Sequence, residues 1–140
     1  MSPTTIKVTF TGLSWDENPI KASRELPLKI TYVTMERKFD TDEMRGWGIA
    51  AYIMTYHATN PKEATFEGEQ VFEGTLLGKT GSFAASSTGV YANGVAKSNW
   101  TIIPDTATGE LKGIRGHGGY ETGHADPTAP IPCELHVEFE

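Results

Sequence analysis

From Thr65 to Leu77 the chain alternates cleanly. Phe66, Gln70, Phe72 and Leu76 fall on one face, and Glu67, Glu69 and Glu73 on the other. A repeat of two is that of an extended strand, and three glutamates on one face require water on that side. This run is therefore a strand with one wet face and one buried face, which points Phe66, Gln70 and Phe72 inward.

Seven more runs read the same way, at Ile6–Trp15, Leu28–Phe39, Trp47–His57, Gly81–Val90, Val95–Ile103, Glu110–Tyr120 and Cys133–Phe139. No stretch sustains a 3.6-residue apolar period. Turn signals separate the runs: Asn60-Pro61-Lys62, Gly78-Lys79 as a two-residue hairpin connection, and Asn93-Gly94, the strongest hairpin dipeptide. Many strands with short connections mean a sandwich or a barrel. A long last strand left as a free edge invites aggregation, and pairing it with the first strand removes both edges. The expectation is an all-β fold, a closed eight-stranded antiparallel β-barrel formed by residues 1–140 as one domain. Eight strands enclose room for packed side chains or for one small ligand.

Composition narrows the function classes. The net charge is −6, and the 12 basic residues are scattered singly or in pairs, whereas nucleic-acid affinity needs clustered Lys and Arg. Nucleic acid and anionic membranes are not expected partners. No apolar run approaches the roughly 20 residues of a membrane helix. Met1–Phe10 lacks the basic and apolar regions of a secretory signal. Cys133 stands alone, so no intrachain disulfide can form. A cytoplasmic protein is expected.

The segment from Phe66 to Tyr120 carries a set of motifs: Phe66-Glu67-Gly68, Phe72-Glu73-Gly74-Thr75-Leu76, Gly78-Lys79-Thr80-Gly81-Ser82-Phe83, Trp100-Thr101-Ile102-Ile103-Pro104 and Thr108-Gly109-Glu110-Leu111-Lys112-Gly113-Ile114-Arg115-Gly116. With Ser14-Trp15-Asp16-Glu17 and Tyr52-Ile53-Met54-Thr55-Tyr56 upstream, the chain resembles the DUF3224 family, grouped with the allene oxide cyclase-like, calycin-like barrels. The resemblance implies an often oligomeric barrel with a central cavity, related to cyclases that fold a reactive substrate inside the barrel. The family itself implies no agreed activity. The chain departs from the family pattern at Asp105-Thr106-Ala107 in place of a glycine-serine run. Gln70 stands where a glutamate is common, and Ser87 where a histidine is frequent.

The residues themselves offer few catalytic patterns. No two of His57, His117, His124 and His136 have the spacing that sets two ligands on one face; a hairpin carrying His117, His124 and Asp126 reads more simply as solvated loop groups. Ser82 lacks a nucleophile elbow. Cys133 reads as a small buried hydrophobe. The glycines from Gly113 to Gly119 lie inside a strand pattern, with no helix following to make a phosphate loop.

A lumen is the stronger candidate. Phe10, Ser14, Phe66, Phe72 and Trp100 are expected to face inward as its substrate-binding wall. Tyr32 and Glu36 share a face with Leu28 and Ile30, and with Tyr56, Gln70 and His117 they form the candidate acid–base set. On the third run the inward face stays open, Tyr52 and Tyr56 on one side, Thr55 and His57 on the other. An aromatic lumen with a few polar groups suits a small molecule; equally, the aromatics can simply fill the barrel. The expected function is a cofactor-independent isomerase or cyclase acting on a small hydrophobic metabolite by acid–base chemistry and positioning. The alternatives are a non-catalytic binder of lipocalin type and a homo-oligomeric scaffold with a filled lumen. No metal and no cofactor are expected.

Overall fold

The computed structural model describes residues 3–60, 62–122 and 130–140. Ten strands form in chain order: β1 (Thr4–Gly12), β2 (Asp16–Pro19), β3 (Ile30–Thr41), β4 (Met44–Tyr56), β5 (Ala64–Leu76), β6 (Lys79–Ala92), β7 (Val95–Ile102), β8 (Thr108–Gly109), β9 (Ile114–Thr122) and β10 (Ile131–Phe139). Eight of them close a barrel in the order β1-β10-β9-β7-β6-β5-β4-β3, and every pairing is antiparallel. The short β2 and β8 hang on β3 and β6. Among the described residues there is no helix, and so none long and apolar enough to cross a membrane.

Strand β1 is the seam. It pairs with β10 from Thr4↔Val137 to Phe10↔Ile131 and with β3 from Phe10↔Phe39 to Gly12↔Arg37. The last strand thus meets the first, and both edges disappear. Two hairpins turn on paired left-handed residues. Asn93-Gly94 has φ of 55° and 77°, the type I′ geometry that matches strand twist. The other two-residue loop is Leu77-Gly78, at 51° and 79°, one residue earlier than the expected Gly78-Lys79. The first run ends at Gly12, and the run expected from Glu110 begins only at Ile114, after a turn at Gly113.

The expected inward face of β5 is correct: Phe66, Gln70, Phe72 and Leu76 are buried. Phe10, Ser98 and Trp100 are buried as well. Strand β4 turns Tyr52 and Met54 inward and Ile53 outward. On β3 the expectation is reversed. Thr31, Val33, Arg37 and Phe39 are buried, whereas Tyr32 is 45% exposed and Glu36 lies outside. Both faces of this run carry apolar groups, so alternation alone does not choose between them. Pairing of Phe10 with Phe39 across the seam does, because it commits the odd-numbered residues to the core.

Two further expected lumen residues lie outside. Ser14 follows the end of β1, is exposed, and accepts a hydrogen bond at its Oγ from the Glu36 backbone N–H (3.2 Å). His117 pairs with outward-facing Thr101 on β7, and its ring stacks on that of His136 (centroids 4.9 Å apart) on the outer surface.

The interior divides into two halves. Around the Leu76 end, Phe10, Phe39, Phe72, Phe83 and Trp100 pack with Ile6, Met44, Leu76, Leu111 and Ile114. Ring centroids 5.4–5.6 Å apart link Phe10 to Phe39, Phe39 to Phe72 and Phe72 to Phe83. The void left there is about 10 Å³, so this half is solid. A separate cluster of Val33, Ala50, Tyr52, Met54, Ala64 and Phe66 lines the other half, which stays open.

Candidate functional site

The open half holds a pocket of about 290 Å³. Its walls are Met35, Met54, Phe66, Tyr91, Ala96, Tyr120, Thr122 and Ile131, with the exposed Trp15 and the half-buried Tyr56 at the mouth and the buried Tyr52 inside. Phe66 lies against β6 because Gly89 is there: a Cβ at that position would stand 2.3 Å from the ring.

The mouth is built on β2 and β4. Glu17 pairs with Val33 across the short β2–β3 ladder, which holds its carboxylate beside the end of β4. One oxygen accepts from Trp15 Nε1 (3.1 Å), and the other from Thr31 Oγ1 (2.7 Å) and the Tyr56 hydroxyl. Partial burial raises the Glu17 carboxyl, but the three donors outweigh it and hold it below the ordinary carboxylate value. Burial, and then the contact with Glu17, push the Tyr56 phenol up to about 12. Lys29 Nζ lies 4.5 Å from the centre of the Tyr56 ring.

Beneath the pocket lies Arg37, fully closed to water. Small residues opposite make room for it: the Gly48 position has no Cβ, and one built there would lie 3.3 Å from the Arg37 Cγ. The guanidinium donates from Nη1 to Gln70 Oε1 (3.1 Å) and from Nη2 to the Tyr52 hydroxyl (2.9 Å) and Met35 Sδ (3.2 Å). It also sits 4.4 Å from the Phe10 ring centroid. Burial and the neighbouring Tyr52 raise the Tyr120 phenol while Arg37 pulls it down. Burial also pushes the Cys133 thiol up to about 12, against the charge of Arg37.

Of the expected acid–base set, the structure brings only Tyr56 into the pocket. Gln70 lies one layer below, as the partner of Arg37. Tyr32, Glu36 and His117 face the outside, and Glu36 there accepts a hydrogen bond from Trp47 Nε1 (2.9 Å). Of the expected wall, Phe66 lines the pocket, Phe10 lies under its floor, Phe72 and Trp100 belong to the filled half, and Ser14 is outside. Ser87 is buried and hydrogen-bonds Ser98 (Oγ–Oγ 2.8 Å). His124 and Asp126 lie outside the described residues; among those described, no group of three or more His, Cys, Asp and Glu is placed to hold a metal ion.

The sequence reasoning missed Arg37, Glu17, Tyr120 and Trp15. A parity signal existed for two of them. Tyr120 pairs with inward Ser98, and Arg37 shares the parity of Phe39.

None of the curated proteins matches the chain. Two solved structures share its fold. One is a protein of unknown function from the DUF3224 family of Shewanella oneidensis MR-1, 16% identical, covering 99% of each chain with a TM-score of 0.80. The other is a pyocyanin demethylase, 12% identical, covering 96% of this chain and 100% of its own, with a TM-score of 0.57. These likenesses are of fold alone. A family model described as a protein of unknown function matches residues 6–130, the barrel up to the start of β10, and by that match the chain belongs to the DUF3224 family.

Proposed function

We propose that this barrel binds a small, flat, mostly apolar metabolite in its open half. The observation that carries the reading is the division of the interior: one half is packed solid, while the other keeps about 290 Å³ between aromatic and thioether walls. That volume is at the lower end for small-molecule sites, and apolar walls with a few convergent polar groups are their usual lining. The pyocyanin demethylase, alike in fold, is named for acting on pyocyanin.

A cofactor-free isomerase or cyclase working in the same pocket is the second reading, favoured by the hydrogen-bonded Tyr56–Glu17 pair at its mouth. General acid–base groups work best with pKa values near the working pH. Tyr56 is pushed up to about 12 and Glu17 held below its ordinary value, so this pair suits holding a ligand better than shuttling its protons. The cytoplasmic location belongs to the same proposal, since a lone buried thiol suits a reducing compartment. So does a homo-oligomer, for which the exposed Tyr32, Trp47, Ile53 and Val71 on the outside of β3–β5 offer an apolar face.

The test is a titration of the purified protein with phenazine, a planar tricyclic probe, followed by the fluorescence of Trp15 at the pocket mouth. Saturable quenching that is lost in Ala96→Phe supports the pocket. Linear, unsaturable quenching that is the same in both proteins overturns it. A ligand extracted from the protein and returned unchanged supports binding alone, whereas conversion to an isomer of equal mass supports the cyclase.

A further inference from the structure

We propose that the ligand of this pocket carries an anionic or strongly accepting oxygen, of the phenolate, enolate or conjugated carbonyl kind, and that it enters with this oxygen toward Tyr52, Tyr120 and Thr122, backed by the charge of Arg37. The inference rests on the binding reading above and adds the chemical class.

The first ground is charge. Arg37 is fully buried, yet all its partners are neutral: Gln70, Tyr52, Met35 and the face of Phe10. The other titratable groups facing it are Tyr120 on β9 and Cys133 on β10, and both hold their protons at neutral pH. Among the described residues, no carboxylate pairs with it. Its Nε is buried without an acceptor. Taking a lone cation out of water is costly unless an opposite charge or a set of acceptors meets it. The protein groups around Arg37 meet that need only in part.

The second ground is proton arithmetic. Tyr52 accepts from Arg37 Nη2, so its own O–H must donate elsewhere. Tyr52 lines the pocket, so its proton is available to an acceptor inside it, with the Tyr120 hydroxyl in the same wall.

The third ground is independent of Arg37. Thr122 Oγ1 is buried, has no hydrogen-bond partner among the described residues and lies in the same pocket wall, two residues along the inward face of β9 from Tyr120. A phenolic proton and a hydroxyl in the wall of one mostly apolar pocket thus stand with an under-compensated cation bonded to that wall through Tyr52. A preorganised donor set of this kind stabilises developed negative charge on oxygen. Polarisation through Tyr52 carries the effect of Arg37 to a ligand it does not touch.

The experiment uses two probes of nearly equal shape, 4-nitrophenol and 4-nitrotoluene, measured by equilibrium dialysis against the whole protein. The phenol changes colour when it ionises, so its protonation can be read in the bound state. The expected result is phenolate binding at least about tenfold tighter than nitrotoluene, equivalent to about 1.4 kcal/mol. The bound phenol also stays ionised at lower pH than the free one. Arg37→Met abolishes that preference and the colour shift while nitrotoluene binding persists. Should Arg37→Met fail to fold, Tyr120→Phe leaves the cation in place and is expected to reduce the preference by about tenfold. Equal binding of the two probes, or a preference unchanged in the variants, overturns this inference and leaves the pocket standing. Binding of neither probe overturns the binding reading itself.

Discussion

Arg37 Nη1 donates to Gln70 Oε1 across 3.1 Å inside the barrel, between two side chains that are both buried. The pair joins β3 to β5 across the intervening β4 and sits where the filled half of the interior meets the open half. Its neutral acceptor identifies Gln70 as a structural partner of the cation.

Gln70→Leu should therefore destabilise the protein by about 2 kcal/mol, because a hydrogen bond to a buried charge is lost and no water replaces it. Adding Arg37→Met removes the stranded cation, and the double variant should recover much of the loss. Urea unfolding curves of the three variants measure this. A Gln70→Leu protein as stable as wild type would mean that the guanidinium finds another acceptor.

The contact between Tyr56 and Glu17 sets a pH window for stability. Glu17 is lowered in the folded chain, so its contribution is full above the ordinary value of 4.5 and is lost as the pH falls through the folded value. Tyr56 is raised to about 12, so its contribution is full below its ordinary value of 10.0 and is lost as the pH rises toward 12. The stability difference between wild type and Tyr56→Phe should be flat between these limits and shrink on both sides. Thermal melts from pH 3 to pH 11 check it; a difference independent of pH would show that the contact has no energetic weight.

The two halves of the interior should answer oppositely to added volume. Ala96→Phe extends into the open half and should change stability by less than about 1 kcal/mol while abolishing probe binding, since its ring displaces solvent and not packed atoms. Ala85→Phe pushes into the aromatic cluster beside Phe83 and should cost about 1–3 kcal/mol. Denaturant midpoints of the pair decide the matter, and equal losses would contradict the division.

Cys133 is buried, and its thiol is pushed up to about 12, so little thiolate exists at neutral pH. Ellman's reagent at pH 8 should label the folded protein negligibly and the urea-unfolded protein fully. Rapid labelling without denaturant would show that the β10 side of the lumen opens to solvent.

The candidate site was legible only where neighbours in sequence disagreed in polarity. Glu67, Glu69 and Glu73 committed Phe66, Gln70 and Phe72 to the interior, and the structure agrees. On β3, Ile30 and Tyr32 opposed Val33 and Phe39 with similar hydrophobicity, so the parity of the run was ambiguous, and Arg37 beside Lys38 gave no sign of burial. The exposed positions of Tyr32 and Glu36 follow from that single reversal. His117 was hidden in the same way, because its parity is opposite to that of Tyr120, which only pairing with the inward Ser98 marks as inward. Glu17 gave no local sign of its role, as its partners Thr31 and Tyr56 are 14 and 39 residues away.

By itself the sequence determined the eight barrel strands, the hairpin at Asn93-Gly94, the joining of the last strand to the first and the membership of the family. These rest on local alternation, on backbone preferences at single residues and on the need to remove free edges. Tertiary structure alone decided which face of β3 turns inward, that Arg37 is sealed beneath the pocket, and that only half of the lumen is open. Each of these depends on strand register and on volumes from strands far apart in sequence, where Phe10 selects Phe39, Gly48 makes room for Arg37, and Gly89 makes room for Phe66.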